Sequence, residues 1–218
     1  MPGECLTMRR FYRPNIKNTP EEYARILAER DKKPVDWADH RRWEFMLKYY
    51  RGGKLMDLGC LDSEVALMAK DRFPEAEVWG LDSVPEVAWR MDAKNPNVNW
   101  LIGDVYHTHF PKNYFDYLVA GELIEHLEDP EAMIHEAMRV LKRGGTLAIS
   151  TPLEETEAGE VDGERHLWSF TKEDFDVLLG KYGDTTVRIL RSQYFPKYKY
   201  HFPTVVGFCH KAWFTKQK

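Results

Sequence analysis

From Lys54 onward, short apolar runs alternate with amphipathic segments, and this alternation restricts the fold more than any other feature of the chain. Apolar runs of strand length cover residues 54–58, 77–81, 98–102, 115–120 and 146–150. Helical periodicity predicts helices over 62–73, 85–94, 130–142 and 171–182. Apolar strands that alternate with helices build a parallel sheet covered on both faces. The sequence therefore predicts a doubly wound, Rossmann-like α/β fold.

The two ends of the chain add further elements to this pattern. Two helices are predicted near the N-terminus, over 20–30 and 35–50. Two long strands, predicted as an antiparallel pair, follow the last helix at 185–195 and 204–214. The chain therefore has helical segments before the alternating region and a strand pair after it.

Acidic residues are concentrated where ligands of doubly wound sheets bind, beyond the carboxyl ends of the strands. Four consecutive strands each end on or next to an acid: Asp57, Asp82, Asp104 and Glu122. A dinucleotide pyrophosphate at the first turn would meet Asp57 and Asp62 as like charges. The acids instead suit a ligand that carries positive charge and no phosphate.

Several of these segments resemble the class I S-adenosylmethionine-dependent methyltransferases, particularly the group that includes ubiquinone-biosynthesis methyltransferases. The resemblance rests on MDLGC at 56–60, the acid after the second strand, Gly103-Asp104, and the run EHLEDPEAMIHEAMRVLKRGGTLAIS at 125–150. It covers roughly residues 35–183. It implies a seven-stranded sheet, with an N-terminal helical cover of the active site over 1–50 and the methyltransferase domain over 51–218.

The resemblance also implies a site for S-adenosylmethionine. The residues that it places in contact with this cofactor are Asp57, Gly59, Cys60, Asp82, Ser83, Asp104, Val105 and Glu122. Asp57 and Gly59 would shape the methionine side, and Asp82 would hold the ribose hydroxyls. Asp104 would accept a hydrogen bond from the adenine amino group, with Val105 donating its backbone N–H.

The first turn departs from the family's common Asp-x-Gly-x-Gly-x-Gly pattern. Leu61 and Ser63 stand where the second and third glycines are expected. A glycine allows the backbone to approach a ligand closely, and neither residue offers that freedom. A non-catalytic scaffold that keeps the methyltransferase fold therefore stays open as an alternative.

A second group of candidate residues follows the fourth strand. Glu122, Glu125 and His126 are spaced i, i+3 and i+4, which on a helix would place three ligand atoms on one face. Carboxylates with imidazole suit Mg²⁺, Mn²⁺ or Zn²⁺. The run resembles the Glu-x-x-Glu-His turn of metal-dependent O-methyltransferases, including RNA 2′-O-methyltransferases, in which a downstream histidine completes the site. His166 matches that histidine here.

Three interpretations of this turn remain open from the sequence. The residues could bind a metal ion. Alternatively His126, with Glu125 beside it, could act as a general base without a metal. The turn could also have only a structural or substrate-packing role.

Composition bears on the class of partner. The chain has 31 Lys and Arg against 35 Asp and Glu, a net charge of −4, which disfavours a protein dedicated to binding phosphate backbones. We expect methyl transfer to a hydroxyl of a small or sugar-like metabolite. The alternative is a metal-dependent ribose O-methyltransferase that acts on RNA or a nucleotide. Its support is the resemblance to the RNA enzymes and the interleaved aromatic and basic residues at 194–201.

Other features indicate a cytoplasmic protein that does not span a membrane. The chain has three cysteines at unrelated spacings, no apolar stretch of signal-peptide type and no 18-residue apolar run. Arg41 and Arg42, on the second predicted helix, could each hold an anionic substrate group or form a surface salt bridge.

Overall fold

A computed structural model describes residues 9–10, 19, 21, 25, 37–62, 64–153, 166–190 and 203–212. The strands are β1 (Arg9–Arg10), β2 (Lys54–Leu58), β3 (Glu77–Asp82), β4 (Asn99–Ile102), β5 (Phe115–Gly121), β6 (Leu141–Pro152), β7 (Trp168–Ser169), β8 (Gly183–Leu190) and β9 (Thr204–Lys211). The α-helices are α1 (Trp37–Met46), α2 (Glu64–Arg72), α3 (Pro85–Lys94), α4 (Pro130–Val140) and α5 (Lys172–Gly180), and a 3-10 turn covers Ile124–His126.

The main sheet contains seven strands in the order β4-β3-β2-β5-β6-β9-β8. Strands β2 to β6 pair in parallel, and β9 runs antiparallel between β6 and β8. Because the order of the strands reverses between β2 and β5, the switch point lies where these two strands end. The predicted doubly wound, seven-stranded sheet is confirmed.

Helices cover both faces of the sheet, as the apolar strands predict. Neighbouring residues of β2 belong to two different cores: Leu55 packs with α1 and α2, whereas Met56 packs with α4 and α5. The Tyr117 hydroxyl on β5 donates a hydrogen bond of 2.6 Å to the carbonyl of Met46, at the end of α1. Helix α1 thus packs on the sheet, while the division into a cover over 1–50 and a domain over 51–218 stays a prediction.

The predicted elements within the described residues are confirmed, with β2 and α3 matching at both ends. The largest shift is at the boundary between α4 and β6. A helix to Lys142 and a strand from Thr146 were expected, whereas the helix ends at Val140 and the strand begins at Leu141. Leu141 is extended and pairs with Phe115, and the Lys142 ammonium binds the Asp116 carboxylate at 2.7 Å. Pairing with β5 therefore takes these residues out of the helix.

Helix α1 is also shorter than predicted, since it ends at Met46 rather than at residue 50. The chain tightens there into turns, with the Lys48 N–H bonded to the Phe45 carbonyl and the Tyr50 N–H to the Leu47 carbonyl. The Tyr50 hydroxyl donates to the Gly53 carbonyl at 3.1 Å and fixes the connection to β2.

Some predictions fall on residues outside those described: most of the helix over 20–30, the strand ends at 191–195 and 213–214, and the segment 194–201. Within the first of these ranges Glu21 and Arg25 are helical. A two-stranded antiparallel pair of β1 with β7 was not predicted. In the described part of the chain, no helix has both the length and the apolar character needed to cross a membrane.

Candidate active site

The turn after β2 forms the first part of the candidate site. Asp57 is buried near the end of the strand, and Gly59 follows with a left-handed backbone at φ +66°. The N–H groups of Gly59 and Cys60 both donate to the Leu81 carbonyl, at 2.8 and 3.1 Å. A Cβ on Gly59 would lie 2.6 Å from the Leu123 side chain, so the turn packs directly against the segment that follows β5. Ser63, which stands at the third glycine of the family's common pattern, lies outside the described residues.

Asp82, at the end of β3, ties this turn to the next strand. Its Oδ2 accepts from the Leu61 N–H at 2.9 Å, and its Oδ1 accepts from the Val84 N–H at 3.0 Å. Burial raises the pKa of Asp82, although the backbone N–H donors act in the opposite direction. Ser83 beside it is exposed. The carboxylate thus shapes the edge of the sheet where β2 and β3 end. We refer to this edge, which carries Asp57, Asp82, Asp104 and Glu122, as the rim.

Asp104 is exposed in the turn that follows β4, and Val105 beside it is half-buried. The Asp104 Oδ1 accepts from the Tyr106 N–H at 2.8 Å, while its carbonyl accepts from the His107 N–H at 3.0 Å. A short side chain that bonds the backbone two residues on stabilises such a turn. The Asp104 carboxylate is therefore oriented by its own loop.

Glu122 does not share a helical face with Glu125 and His126, and the expectation of one helical turn was wrong. Glu122 has φ +50° and precedes the 3-10 turn, because its N–H bonds to the Ser150 carbonyl at the end of β6. Its Oε1 accepts from the Ser150 hydroxyl at 2.9 Å and lies 3.4 Å from Arg42 Nη1 on α1. Of the two readings of Arg42, the structure has the salt bridge, whereas Arg41 is exposed.

The other three residues of the predicted set do come together. Ligand atoms of Glu125, His126 and His166 all lie within 4.8 Å of one another. The two imidazole rings meet edge to face, with centroids 4.6 Å apart. The Leu167 N–H donates to the Glu125 carbonyl at 2.7 Å, which brings the distant His166 to the turn. We refer to Glu125, His126 and His166 as the acid–histidine cluster.

Glu125 is 1% exposed, and its two carboxylate oxygens differ in their surroundings. Oε2 accepts from the Thr151 hydroxyl at 2.8 Å, whereas Oε1 is buried and has no hydrogen-bond partner among the described residues. Burial, reinforced by the nearby Glu122, raises the pKa of Glu125 to about 8, although the charge of His166 acts against the shift. A carboxyl group with such a pKa can take up or release a proton near neutral pH.

Ser150 and Thr151 support the two glutamates, and neither residue was predicted from the sequence. They end β6, so the rule that directed attention to the ends of the other strands would have found them had it been applied to the fifth strand of the pattern. Each hydroxyl donates to one glutamate, Ser150 to Glu122 and Thr151 to Glu125. The strand end thus fixes two acids that differ in burial and in partners.

Comparison with known proteins agrees with this architecture. Residues 56–149 match a family described as "Methyltransferase domain". Trans-aconitate 2-methyltransferase of Azoarcus sp. (strain BH72) is 31% identical over 98 residues, which cover 45% of this chain and 38% of that protein. Malonyl-[acyl-carrier protein] O-methyltransferase of Hahella chejuensis is 32% identical over 124 residues, covering 53% and 44%. The matches span less than half the length of these curated relatives.

Solved structures show the same fold at low sequence identity. A putative methyltransferase of Haloferax volcanii, in complex with the Trm112 methyltransferase activator, superposes with a TM-score of 0.69 at 15% identity, covering 91% of this chain and all of that one. The N-methyltransferase NodS of Bradyrhizobium japonicum, in complex with S-adenosylhomocysteine, gives 0.68 at 15% identity, with coverage of 89% and 99%.

Proposed function

We propose that this protein is a class I methyltransferase that transfers a methyl group from S-adenosylmethionine to an oxygen atom of a small acceptor, since residues 56–149 match a methyltransferase domain and the seven-stranded sheet has the matching fold. The observation that carries the proposal is the contact between two parts of the rim. The turn at Gly59 packs on Leu123, and the acid–histidine cluster begins two residues later. The turn proposed to bind the cofactor and the acid–histidine cluster, which offers proton acceptors, therefore lie side by side at the switch point of the sheet.

The residues of the rim fit S-adenosylmethionine, whose sulfonium supplies an electrophilic methyl group when bound. Asp57 and the turn at Gly59 would hold the methionine portion, and Asp82 the ribose hydroxyls. Asp104 and Val105 would hold the adenine ring. The acids match a cation in charge, and Gly59 forms the left-handed turn without a side chain of its own. Leu61 keeps the turn closed through its bond to Asp82, which argues against the scaffold alternative.

On the acceptor side, we propose that His126 is the general base, with Glu125 as its partner. Methyl transfer is an in-line displacement, so the protein contributes orientation and removal of a proton from the acceptor hydroxyl. His126 is half-buried while Glu125 and His166 are buried, so His126 is the member of the cluster that an acceptor reaches most directly. Glu125 and His166 would then orient the imidazole.

The acid–histidine cluster also fits a divalent cation. Two imidazoles and one carboxylate are a common ligand set for a metal ion. The buried Oε1 of Glu125 has no hydrogen-bond partner among the described residues, so a bound cation would satisfy it. A bound Mg²⁺, Mn²⁺ or Zn²⁺ would supply Lewis-acid polarisation of the acceptor oxygen. The residues that would hold it are Glu125, His126 and His166. Glu122 stands outside this set.

We propose a small-molecule acceptor rather than RNA. Two relatives are named for trans-aconitate and for malonyl-[acyl-carrier protein], the latter as an O-methyltransferase. The cluster lies next to Glu122, one of the four strand-end acids, an electrostatic setting that disfavours a polyanion. The RNA 2′-O-methyltransferase alternative rests on the similarity of the turn and is retained as an outcome of the test.

The test is a methyl-transfer assay with labelled S-adenosylmethionine and a panel of hydroxy acids, phenols, sugars, carboxylic acids and a short RNA. Release of S-adenosylhomocysteine and a product methylated on oxygen are expected, and both should be lost in His126→Ala. A product methylated on nitrogen or carbon would contradict the proposal, and transfer to RNA alone would favour the alternative.

Treatment with EDTA in the same assay separates the two mechanisms. If turnover stops and returns on addition of Mg²⁺ or Mn²⁺, the cluster acts through a metal. If turnover is unchanged, His126 acts as a base without one. Half-exposed Glu131, which pairs with Lys181 at 2.9 Å, offers a control variant in Glu131→Gln that should keep full activity.

A further inference from the structure

A buried glutamate of α4 holds the loop that follows β4, and the proposed function does not use it. Glu136 is 7% exposed. Its Oε1 accepts hydrogen bonds from the backbone N–H of Thr108 at 2.8 Å and from the Thr108 hydroxyl at 2.7 Å. One carboxylate oxygen therefore fixes both the backbone and the side chain of a loop residue.

Arg139, one turn further along α4, completes the anchor. Its Nε and Nη2 donate to the two oxygens of Glu136 at 2.6 and 2.8 Å, and Nη2 also donates to the Phe110 carbonyl at 2.8 Å. Burial opposes ionisation of Glu136, but the bonds from Arg139 and Thr108 outweigh it and lower the pKa to about 2. Glu136 is thus charged at neutral pH, and its hydrogen bonds belong to the strong, charge-assisted kind.

The other end of the same loop is tied to the start of α4. The Tyr106 hydroxyl accepts from the backbone N–H of Asp129, the N-cap residue of that helix, at 3.2 Å. The turn in which Asp104 bonds to the Tyr106 N–H comes directly before these anchors in the chain. The position of the exposed Asp104 carboxylate is therefore set by α4 rather than by the edge strand β4 alone.

We propose that Glu136 is a positioning residue for recognition of the purine base. It fixes the loop that carries Asp104 and Val105, so that the site selects a 6-aminopurine over a 6-oxopurine. The inference rests on the proposed function, since Asp104 and Val105 are the groups proposed to hold adenine. A carboxylate accepts a hydrogen bond from an amino group but repels an oxo group, and this discrimination requires a fixed donor–acceptor geometry.

Binding affinity for two matched ligands tests this role without recourse to turnover. S-adenosylhomocysteine and S-inosylhomocysteine differ only in the amino or oxo group at position 6 of the purine. Calorimetric titration of the unmodified protein should show a preference for the amino ligand. In Glu136→Gln the affinity for S-adenosylhomocysteine should fall about tenfold, with little change for the oxo ligand, so that the selectivity shrinks.

Two further variants make the result decisive. Thr108→Val removes the hydroxyl bond and leaves the pair of Glu136 with Arg139, so it should shift the selectivity in the same direction by a smaller factor. This variant keeps the inference testable if Glu136→Gln fails to fold. Glu131→Gln, on the exposed side of α4, should bind like the unmodified protein.

Several outcomes would overturn the inference. The first is an unchanged ratio of the two affinities in folded Glu136→Gln and Thr108→Val. The second is an equal loss of both ligands, which would mean that the anchor supports only the general fold. If the unmodified protein bound neither ligand, the proposed function itself would fail, and this inference with it.

Discussion

Gly59 and Leu61 both take left-handed backbone conformations in the turn after β2, at φ +66° and +42°. Glycine does so at little cost, whereas a residue with a Cβ loses about 1 kcal/mol or more. The Leu61 N–H donates to the buried carboxylate of Asp82, and its side chain packs near Cys60 and Val84. These contacts offset the strain, so the turn closes although one expected glycine is absent.

Gly59 has no such latitude, and Gly59→Ala is predicted to damage the turn. The added Cβ would meet the Leu123 side chain at 2.6 Å in a backbone conformation that alanine disfavours. We expect the free energy of unfolding to fall by roughly 1–3 kcal/mol, measured by urea denaturation. The matched control is Gly180→Ala at the end of α5, where a Cβ meets nothing within 4 Å. That variant should be neutral or up to about 1 kcal/mol more stable. Equal stability of the two variants would contradict the packing described here.

Glu125 predicts a specific dependence of stability on pH. Its pKa is raised from 4.5 to about 8 in the folded protein, so the folded state binds more protons than the unfolded state between these values. Its contribution to stability is therefore fully present below about pH 4.5 and is lost as the pH rises through about 8. Relative to Glu125→Gln, which stays neutral, the unmodified protein should lose stability by up to roughly 5 kcal/mol over this window, at about 1.4 kcal/mol per pH unit. Thermal unfolding at several pH values measures the difference, and parallel curves for the two proteins would exclude the raised pKa.

The composition of the acid–histidine cluster leads to a third prediction, on metal binding. If the cluster binds Mn²⁺ or Zn²⁺, His166→Ala should weaken binding by tenfold or more, because it removes one of the gathered ligands. Glu122→Gln should retain most of the affinity, since Glu122 is held by Ser150 and Arg42 instead. Titration of the metal alone into each protein measures this. An equal loss in both variants would place Glu122 in the site.

At the scale of secondary-structure elements, Tyr117 connects α1 to the sheet. Its buried hydroxyl bonds to the Met46 carbonyl at the end of the helix, and Tyr117→Phe leaves that carbonyl unsatisfied. We expect a loss of about 1–2 kcal/mol in stability and faster amide hydrogen exchange over residues 43–47. Tyr114→Phe is the matched control, because the Tyr114 hydroxyl is half-buried and bonds to Glu77 on β3 rather than to α1. Faster exchange of α1 in the control, or unchanged exchange in Tyr117→Phe, would contradict this connection.

Secondary-structure elements can be predicted from the sequence where residues close together in the chain determine them. The strands and helices of the alternating region are predictable because period and turn residues act locally. The boundary at Val140 and Leu141 is not, because pairing with Phe115 across the sheet decides it. The helical face of Glu122, Glu125 and His126 failed for the same reason, since the bond of Glu122 to Ser150 comes from a strand 28 residues away. His166 lies in the cluster, and the backbone bond from Leu167 to Glu125 that brings it there has no local signal in the sequence.

For the molecule as a whole, the sheet order explains why acids dispersed along the sequence lie at one edge. Asp57, Asp82 and Glu122 lie at the ends of neighbouring parallel strands, and Asp104 follows the edge strand. The net charge of −4 is therefore partly a property of this rim. A cluster of acids of this kind favours binding of a cationic ligand at this edge of the sheet, whatever the charge on the rest of the surface.

Calorimetric titration with S-adenosylhomocysteine measures directly whether this protein binds the proposed cofactor. The unmodified protein should show saturable binding of one molecule per chain. Asp82→Asn, checked for folding by circular dichroism, should weaken binding by tenfold or more, because this buried carboxylate organises the turn and is the group proposed to hold the ribose hydroxyls. No heat of binding and no thermal shift with millimolar ligand would contradict the proposed function and favour a scaffold that keeps only the fold.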